Sequence, residues 1–176
     1  MPLQILVSIP TVFVVILICL ICSLNGEIIS VEKGKTSGYY RNVENVNEKV
    51  FWVRGYADAF VTLFEDTRAT AEAYRIVIGG DSNSWTRIRA YHTRVVNQTS
   101  NAVLLLEPNT RKFKPFWIKW TSNSLVLGAG VNVGVGVTIR WNLSWSATIR
   151  YISVRAGRYY PVEFILDLSC SKVPNL

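Results

Sequence analysis

The chain has 176 residues, with 19 Lys and Arg against 12 Asp and Glu, which gives a formal net charge of +7. That length indicates one ordinary domain with at most a short extension. Cys19 and Cys22 lie in the first 26 residues, so one His and one Cys remain beyond them, too few for a zinc site built from the usual nitrogen and sulfur ligands.

The chain opens with an apolar segment. Residues 1–26 contain no charged side chain, and Val12–Cys22 is apolar throughout. This pattern is typical of the apolar core of a secretory signal peptide, and Gly26 is small enough to precede a cleavage site. An uncleaved anchor is the alternative, because residues 5–24 are roughly long enough to span a bilayer. We therefore predict a secreted, extracellular protein, with anchoring in a membrane by residues 5–24 as the alternative.

Residues 27–49 are mixed and polar, and we interpret them as an N-terminal segment in which Tyr39-Tyr40 begins an edge strand. Residues 50–170 are interpreted as a β domain, since short aromatic and β-branched runs alternate there with turn signals. Thr67–Ala73 is the only segment with helix-friendly composition, and it predicts a loop or a single helical turn. Strands are predicted at Val50–Tyr56, Ala59–Phe64, Tyr74–Ile78, Arg87–His92, Thr148–Arg155 and Val162–Leu168.

A hairpin is predicted within Phe113–Gly130, where apolar alternation on both sides of a Ser-Asn-Ser turn has the period of two of half-buried strands. We expect Trp117 and Trp120 in this hairpin to be core residues. Every odd position of Leu125–Trp141 is apolar, whereas glycines dominate the even positions from Gly128. This indicates two strands separated by a turn and bulges. A smooth strip approached by another backbone or by a ligand is the alternative.

Two glycosylation sequons begin at Asn97 and Asn142, and they agree with passage through a secretory pathway. Trp141 and Arg140 are predicted to face opposite sides of their strand, so a glycan on Asn142 would point outward with Arg140. Cys170 is the only Cys beyond the apolar segment. We expect it to be buried, and pairing between chains is the alternative.

The whole pattern consists of about ten short strands without a convincing helix, with turn signals every eight to twelve residues. It predicts an all-β protein, an antiparallel β-sandwich of jelly-roll type. Neither an internal repeat nor a linker divides the predicted β domain.

Catalytic chemistry finds little support in the sequence. Any Ser-His-Asp arrangement must use His92, and no Ser lies in a Gly-x-Ser-x-Gly context. The loop Asp81–Asn83, or Glu65-Asp66, offers oxygen ligands for calcium, but neither is a full set. Gly128-Ala129-Gly130 has no helix after it, which argues against a phosphate-binding loop. We therefore predict no catalytic residue, no metal and no cofactor.

Positive charge is concentrated in three places. Outside the cell its natural anionic partners are glycans, acidic lipids and microbial surfaces rather than nucleic acid. A solvated surface without a partner is the alternative. The three clusters are Arg87, Arg89 and Arg94; Arg111, Lys112 and Lys114; and Arg150, Arg155 and Arg158.

Several of these segments together resemble a known family. In this order and spacing they are similar to the farnesoic acid O-methyltransferase domain family, over about residues 50–168. The loop after Gly79-Gly80 departs from the family pattern, because Asp81-Ser82 stands where Trp-Gly is usual. The segments are Asp58–Leu63, Tyr74–Gly80, Asn83, Ile88-Arg89, Phe116–Trp120 and Val126–Gly130.

The resemblance implies two kinds of function. The family name implies methyl transfer from S-adenosylmethionine to farnesoic acid, a step towards methyl farnesoate in arthropods. Similar domains in secreted arthropod proteins and in complement-like extracellular proteins imply recognition instead.

We favour recognition, because neither a donor-binding loop nor an α/β pattern is visible in the sequence. The expected partner is a glycan, an anionic surface or an extracellular protein, and a membrane only if the N-terminal segment is uncleaved. A purely structural role in assembly through Cys170 is a further alternative. The predicted contact residues are Asp81, Asn83, Trp85, Arg87 and Arg89.

Overall fold

The computed structural model describes residues 27–66, 72–90, 96–142 and 146–166. Residues 28–166 form one compact unit, and its described part contains twelve strands. They are β1 (Ile28–Val31), β2 (Thr36–Asn42), β3 (Glu48–Gly55), β4 (Ala59–Phe64), β5 (Glu72–Gly79), β6 (Trp85–Ala90), β7 (Val96–Thr99), β8 (Lys114–Trp120), β9 (Ser124–Ala129), β10 (Thr138–Asn142), β11 (Tyr151–Ala156) and β12 (Val162–Ile165).

The strands form two antiparallel sheets of six strands each. Sheet A has the order β1-β12-β3-β8-β9-β10, and sheet B has the order β2-β11-β4-β5-β6-β7. The runs β4 to β7 and β8 to β10 are successive hairpins, whereas β11 returns from far along the chain to lie beside β4. The predicted all-β antiparallel sandwich is confirmed.

The core lies between the two sheets and follows from the period of two. In β4 the side chains of Ala59, Val61 and Leu63 are fully buried, and they share the inner face with alternate residues of β5 and β6 such as Ile76 and Ile88. Outer-face positions then fall on the intervening residues. The alternation therefore decides which residues of sheet B are presented away from sheet A.

The hairpin predicted within residues 113–130 is formed by β8 and β9, with Phe116 opposite Ala129 and Trp120 opposite Leu125. The long apolar run is split as predicted, since β9 ends at Ala129 and β10 begins at Thr138. The backbone between them has positive φ angles of 101°, 85° and 91° at Gly130, Gly134 and Gly136. Glycine adopts this left-handed region without steric cost, which explains why the run does not continue as one strand.

Residues of the N-terminal segment belong to the sandwich. β1 pairs with β12 in sheet A, and β2 pairs with β11 as an edge strand of sheet B. The edge strand expected at Tyr39-Tyr40 is thereby confirmed. The strand β7 was not predicted, because its sequence, Val-Asn-Gln-Thr, has no apolar alternation.

Several predictions fall on residues outside the described ranges. They concern the apolar N-terminal segment, the loop or helical turn before Ala73, and the residues His92, Arg94 and Cys170. Within the described ranges, no helix is both long enough and apolar enough to cross a membrane.

Candidate anion-binding face

The outer face of sheet B presents a group of arginines. Arg75 lies on β5, Arg87 and Arg89 lie on β6, and Arg155 lies on β11. Each alternates with a buried inner-face residue, such as Ile76 or Ile88, so all four point away from sheet A. We call these four residues the arginine face.

The strand register places like charges beside each other. Arg75 is directly opposite Arg89 in the β5–β6 pair, and Arg87 is opposite the neighbouring Val77. Like charges at directly opposed positions of an antiparallel pair destabilise it. Within the described ranges, Arg87 and Arg89 make no ion pair with an acidic side chain. Arg87 and Arg89 therefore add positive charge to this face that no acidic side chain of the described ranges neutralises.

Arg87 is the most constrained of these side chains. Its guanidinium carbon lies 4.3 Å from the ring centroid of Trp85, within the range of a cation–π contact. Burial lowers the pKa of Arg87 from its ordinary value, and the charges of Arg89 and Arg75 lower it further. Its Nε is buried and has no hydrogen-bond partner among the described residues. A buried donor without an acceptor costs free energy.

The outer face of sheet B between the arginines is closely packed. On the outer face of sheet B, Val77, Thr62 and Ser153 are buried. The Ser153 hydroxyl is directly opposite Thr62 and, among the described residues, has no hydrogen-bond partner. Beside these residues, the guanidinium carbon of Arg155 lies 5.0 Å from the ring centroid of Phe60. The face thus spans four adjacent strands, from β11 to β6.

The hairpin turn beside this face has an unusual backbone. Gly79 has a φ of 68°, and Asp81, Ser82 and Asn83 have φ angles of 49°, 54° and 68°. Gly80 lies between them opposite Trp85, and a Cβ at Gly80 would come within 2.2 Å of Cη2 of Trp85. The indole therefore rests on bare backbone, which fixes the ring next to Arg87.

Asn83 has a structural role in this turn. Its Nδ2 donates to the Leu106 carbonyl at 3.0 Å, and its Oδ1 accepts from the Leu106 amide at 2.9 Å. Thr86 also binds this segment, because its hydroxyl donates to the Leu104 carbonyl at 2.6 Å. The amide group of Asn83 is thus engaged in holding residues 104–106 against the hairpin.

Asp81 lies in the same turn, close to the carboxyl group of Asp58. Burial raises the pKa of the Asp58 carboxyl above its ordinary value; a hydrogen bond from the Asp81 backbone opposes this rise, and the Asp81 carboxylate adds to it. Of the five predicted contact residues, the structure therefore brings Trp85, Arg87 and Arg89 together on one face. Asp81 and Asn83 belong to the turn beside it.

Arg75 and Arg155 were not among the predicted contact residues, although Arg155 was in a predicted basic cluster. Alternation within Tyr74–Ile78 does place Arg75 on the outer face, and the β5–β6 hairpin then implies that it is close to Arg89. Arg155 carries no such local signal, because β11 pairs with β4 only through long-range topology.

A cleft of about 420 Å³ lies elsewhere, at the edge of sheet A. Its charged wall is an ion pair between Arg54 and Glu163, and Arg54 also donates to the Arg111 carbonyl at 3.0 Å. The Arg54 guanidinium carbon lies 4.4 Å from the Phe113 ring centroid. Arg54 and Glu163 in this cleft are already paired with each other, so the arginine face is the stronger candidate for an anionic ligand.

The two sequons lie where the sheet edges meet. β7 and β10 are the last strands of their sheets, and the side-chain amide of Asn97 donates to the Arg140 carbonyl. Asn97 and Asn142 are both exposed, whereas Ile139 and Trp141 are buried. This agrees with the predicted outward direction of Asn142.

Metal ligands are sparse in the part of the chain that the structure describes. It contains no group of three or more His, Cys, Asp or Glu side chains that could hold an ion. The Asp81–Asn83 loop gains one acidic neighbour from the fold, Asp58, which does not make a group of three in the described ranges.

Comparison with known proteins places the chain in context. A family profile described as farnesoic acid O-methyl transferase matches residues 35–169, which confirms the resemblance seen in the sequence and extends it towards the N-terminus. A comparison with curated proteins finds no match.

Similar solved structures include two variants of human galectin-16, 12% and 11% identical to this chain. Each has a TM-score of 0.50, and each alignment covers 77% of this chain and 94% of the galectin chain. At such low identity this likeness shows the fold alone, a jelly-roll sandwich. A structure of sheep galectin-11 in complex with glycerol has a TM-score of 0.48, is 9% identical, and covers 73% of this chain and 92% of that chain.

Proposed function

This chain belongs to the farnesoic acid O-methyl transferase family, and from that premise we propose that it is a secreted, non-enzymatic recognition domain. Its arginine face binds an acidic glycan, one that carries carboxylate or sulfate groups. The observation that carries the proposal is the placement of Arg75 opposite Arg89, with Arg87 beside them over Trp85.

The positive charge of Arg87 and Arg89 favours an anionic ligand. Arg87 and Arg89 make no ion pair within the described ranges, and a carboxylate or sulfate beside them would neutralise part of their charge. Guanidinium groups suit such ligands because their planar fork donates two parallel hydrogen bonds to one anionic group.

The shape of the face favours an extended ligand over a small one. The four arginines lie on β11, β5 and β6, with β4 between β11 and β5. At about 4.8 Å between neighbouring strands, this face spans roughly 14 Å across sheet B. An open face of this width with charges at both sides fits a polyanionic chain better than a single ion.

Methyl transfer, which the family description names, needs a place for a methyl donor. Nucleotide-like donors commonly bind where a glycine-rich loop leads from a strand into a helix. In the described ranges the connections between successive strands hold only short helical turns, such as Gly80–Asn83 and Ala102–Leu104. We therefore infer that the family description names the domain and that this chain acts by binding.

The experiment is a binding measurement on the purified full chain. Sulfated, carboxylated and neutral polysaccharides are immobilised in parallel, and binding is measured at increasing salt. We expect binding to the two acidic polymers, weakening as salt rises because exposed charges are screened, and none to the neutral one. Equal binding to all three, or none, would contradict the proposal. Calorimetry with S-adenosylmethionine runs alongside, and saturable binding would support methyl transfer instead.

A further inference from the structure

The loop between β9 and β10, residues 130–137, exposes a row of valines. Val131, Val135 and Val137 are 54%, 62% and 36% exposed. The residues between them are Asn132, Val133, Gly134 and Gly136, so the loop carries few polar side chains. Scattered apolar residues are normal at a surface, but a contiguous exposed group marks an interaction site.

This valine loop leaves sheet A at the end where a basic segment enters it. The Gly130 amide donates to the Pro115 carbonyl at 3.0 Å, at the start of β8. Arg111 and Lys112, which lie just before β8, are both exposed. Lys114 is 3.6 Å from Glu107 and donates to the Leu105 carbonyl, so Arg111 and Lys112 are the cations of this segment that face solvent.

Other loops at the same end add aromatic and basic side chains. β3 ends and β12 begins there, since Gly55 is opposite Val162. Tyr56 and Tyr160, which flank these two strands, have ring centroids 4.5 Å apart. Tyr159 is 67% exposed, and its neighbour Arg158 is exposed as well.

We propose that this end of the sandwich docks on the surface of a lipid bilayer that contains anionic lipids. The valines enter the boundary between headgroups and acyl chains, where an apolar loop gains by leaving water. Tyrosines prefer the same depth, since the ring is apolar and the hydroxyl remains hydrated. Arg111, Lys112 and Arg158 provide the attraction to anionic headgroups.

The form of the loop favours a bilayer over a protein partner. A protein partner needs a surface whose shape it can match, with a buried centre and a polar rim. Residues 130–137 instead carry separate small side chains on a glycine-rich backbone, with solvent-facing cations in a neighbouring loop. This surface lies at the end of sheet A and is distinct from the arginine face on sheet B, so the two proposals stand or fall separately.

The test is co-sedimentation of the full chain with vesicles, either of neutral phosphatidylcholine or of phosphatidylcholine with phosphatidylserine. Binding to the anionic vesicles should be stronger. The double substitution Val131→Asn and Val135→Asn should weaken it about tenfold or more, since two apolar side chains no longer leave water. Replacing both Arg111 and Lys112 by Gln should weaken it roughly tenfold or more, and only for anionic vesicles.

Val46→Asn is the matched control, because Val46 is 47% exposed and precedes β3 at the opposite end of sheet A. It should leave vesicle binding unchanged. Vesicle binding that depends neither on lipid charge nor on the valine substitutions would overturn the proposal, because the apolar N-terminal segment would then account for the binding. The proposal would also be overturned if Arg89→Gln reduced vesicle binding as much as the valine double substitution does. It would be overturned as well if the valines were needed for binding to a protein partner and not for binding to vesicles.

Discussion

Trp85 lies across the backbone of Gly80, the first residue of the turn after β5, at the edge of the arginine face. A Cβ at position 80 would come 2.2 Å from Cη2 of the indole. Sheet A repeats the arrangement, because a Cβ at Gly128 would come 2.3 Å from Cε2 of Trp117, which is directly opposite. At both sites an indole occupies the place of the missing glycine side chain, although Gly128 lies within β9 and Gly80 lies in the turn that follows β5.

The Gly80→Ala substitution tests whether this contact fixes Trp85. We expect it to destabilise the protein by about 1–3 kcal/mol, the usual cost of forcing extra volume into a packed site. Urea unfolding measures the cost. In a Trp85→Ala background the same substitution should cost much less, because the clashing ring is gone. An equal cost in both backgrounds would show that the backbone of the turn, and not the indole, requires glycine.

Asn83→Ala should destabilise the protein by roughly 2–4 kcal/mol, because it leaves the amide and the carbonyl of Leu106 without their partners. Asn83→Asp is the informative companion. Its carboxylate still accepts from the Leu106 amide, and aspartate tolerates the left-handed backbone at this position. We therefore expect a smaller loss in urea unfolding. Variants equal in stability to the wild type would contradict the structural role of Asn83.

These turn residues show what a sequence can and cannot predict. The turn at Gly79–Asn83 and the strands on both sides of it follow from local signals, and the predicted bounds of β4 match those observed. The hydrogen bonds of Asn83 to Leu106 do not follow from local signals, because they depend on how a segment distant in the sequence packs. The apolar run from Ala102 to Glu107 accordingly forms a short 3₁₀ turn with Leu104 and Leu106 buried.

Stability should depend on pH through Glu163. Its hydrogen bond with Arg54 holds the pKa of the Glu163 carboxyl below its ordinary value. A lowered carboxyl pKa stabilises the folded state above the unfolded pKa, and the contribution is lost as pH falls through the folded pKa. Glu163→Gln should therefore cost about 1 kcal/mol at neutral pH, the upper range for a partly exposed pair, and nothing once the carboxyl is protonated.

Urea unfolding of both proteins across the acidic range provides the measurement. Glu48→Gln is the control, because Glu48 forms an ion pair with Lys119 at 3.2 Å in which both side chains are more exposed. Its cost at neutral pH should be smaller. A Glu163→Gln cost that stays constant into strong acid would contradict the assigned role of the Arg54 pair.

Secretion and glycosylation are tested together. If the chain passes through a secretory pathway, Asn142 should carry a glycan that enzymatic deglycosylation removes, since it is exposed at the edge of sheet A. Asn142→Gln should abolish that mass change at this site, and Asn97→Gln should do so at the other. Retention of the unmodified chain inside expressing cells would contradict secretion.

The arginine face shows the limit of sequence analysis for function. Trp85, Arg87 and Arg89 alternate on one strand, so their shared face is predictable. Trp117 was expected in the core and is only 1% exposed, yet it lies on the outer face of sheet A, opposite Gly128. Local alternation predicts which residues of one strand share a face. It does not predict which strand, distant in the sequence, lies beside them and completes that face.

The most direct test of the central claim compares Arg89→Gln with Arg140→Gln in binding to a sulfated polysaccharide. Each substitution removes one positive charge from an exposed arginine, but Arg89 lies on sheet B opposite Arg75 and Arg140 lies on the edge strand of sheet A. We predict that Arg89→Gln weakens binding about tenfold, the scale of one lost charge-assisted hydrogen bond, and that Arg140→Gln leaves it nearly unchanged. Equal losses for the two variants would show that net charge alone attracts the polymer and would contradict a binding site on the arginine face.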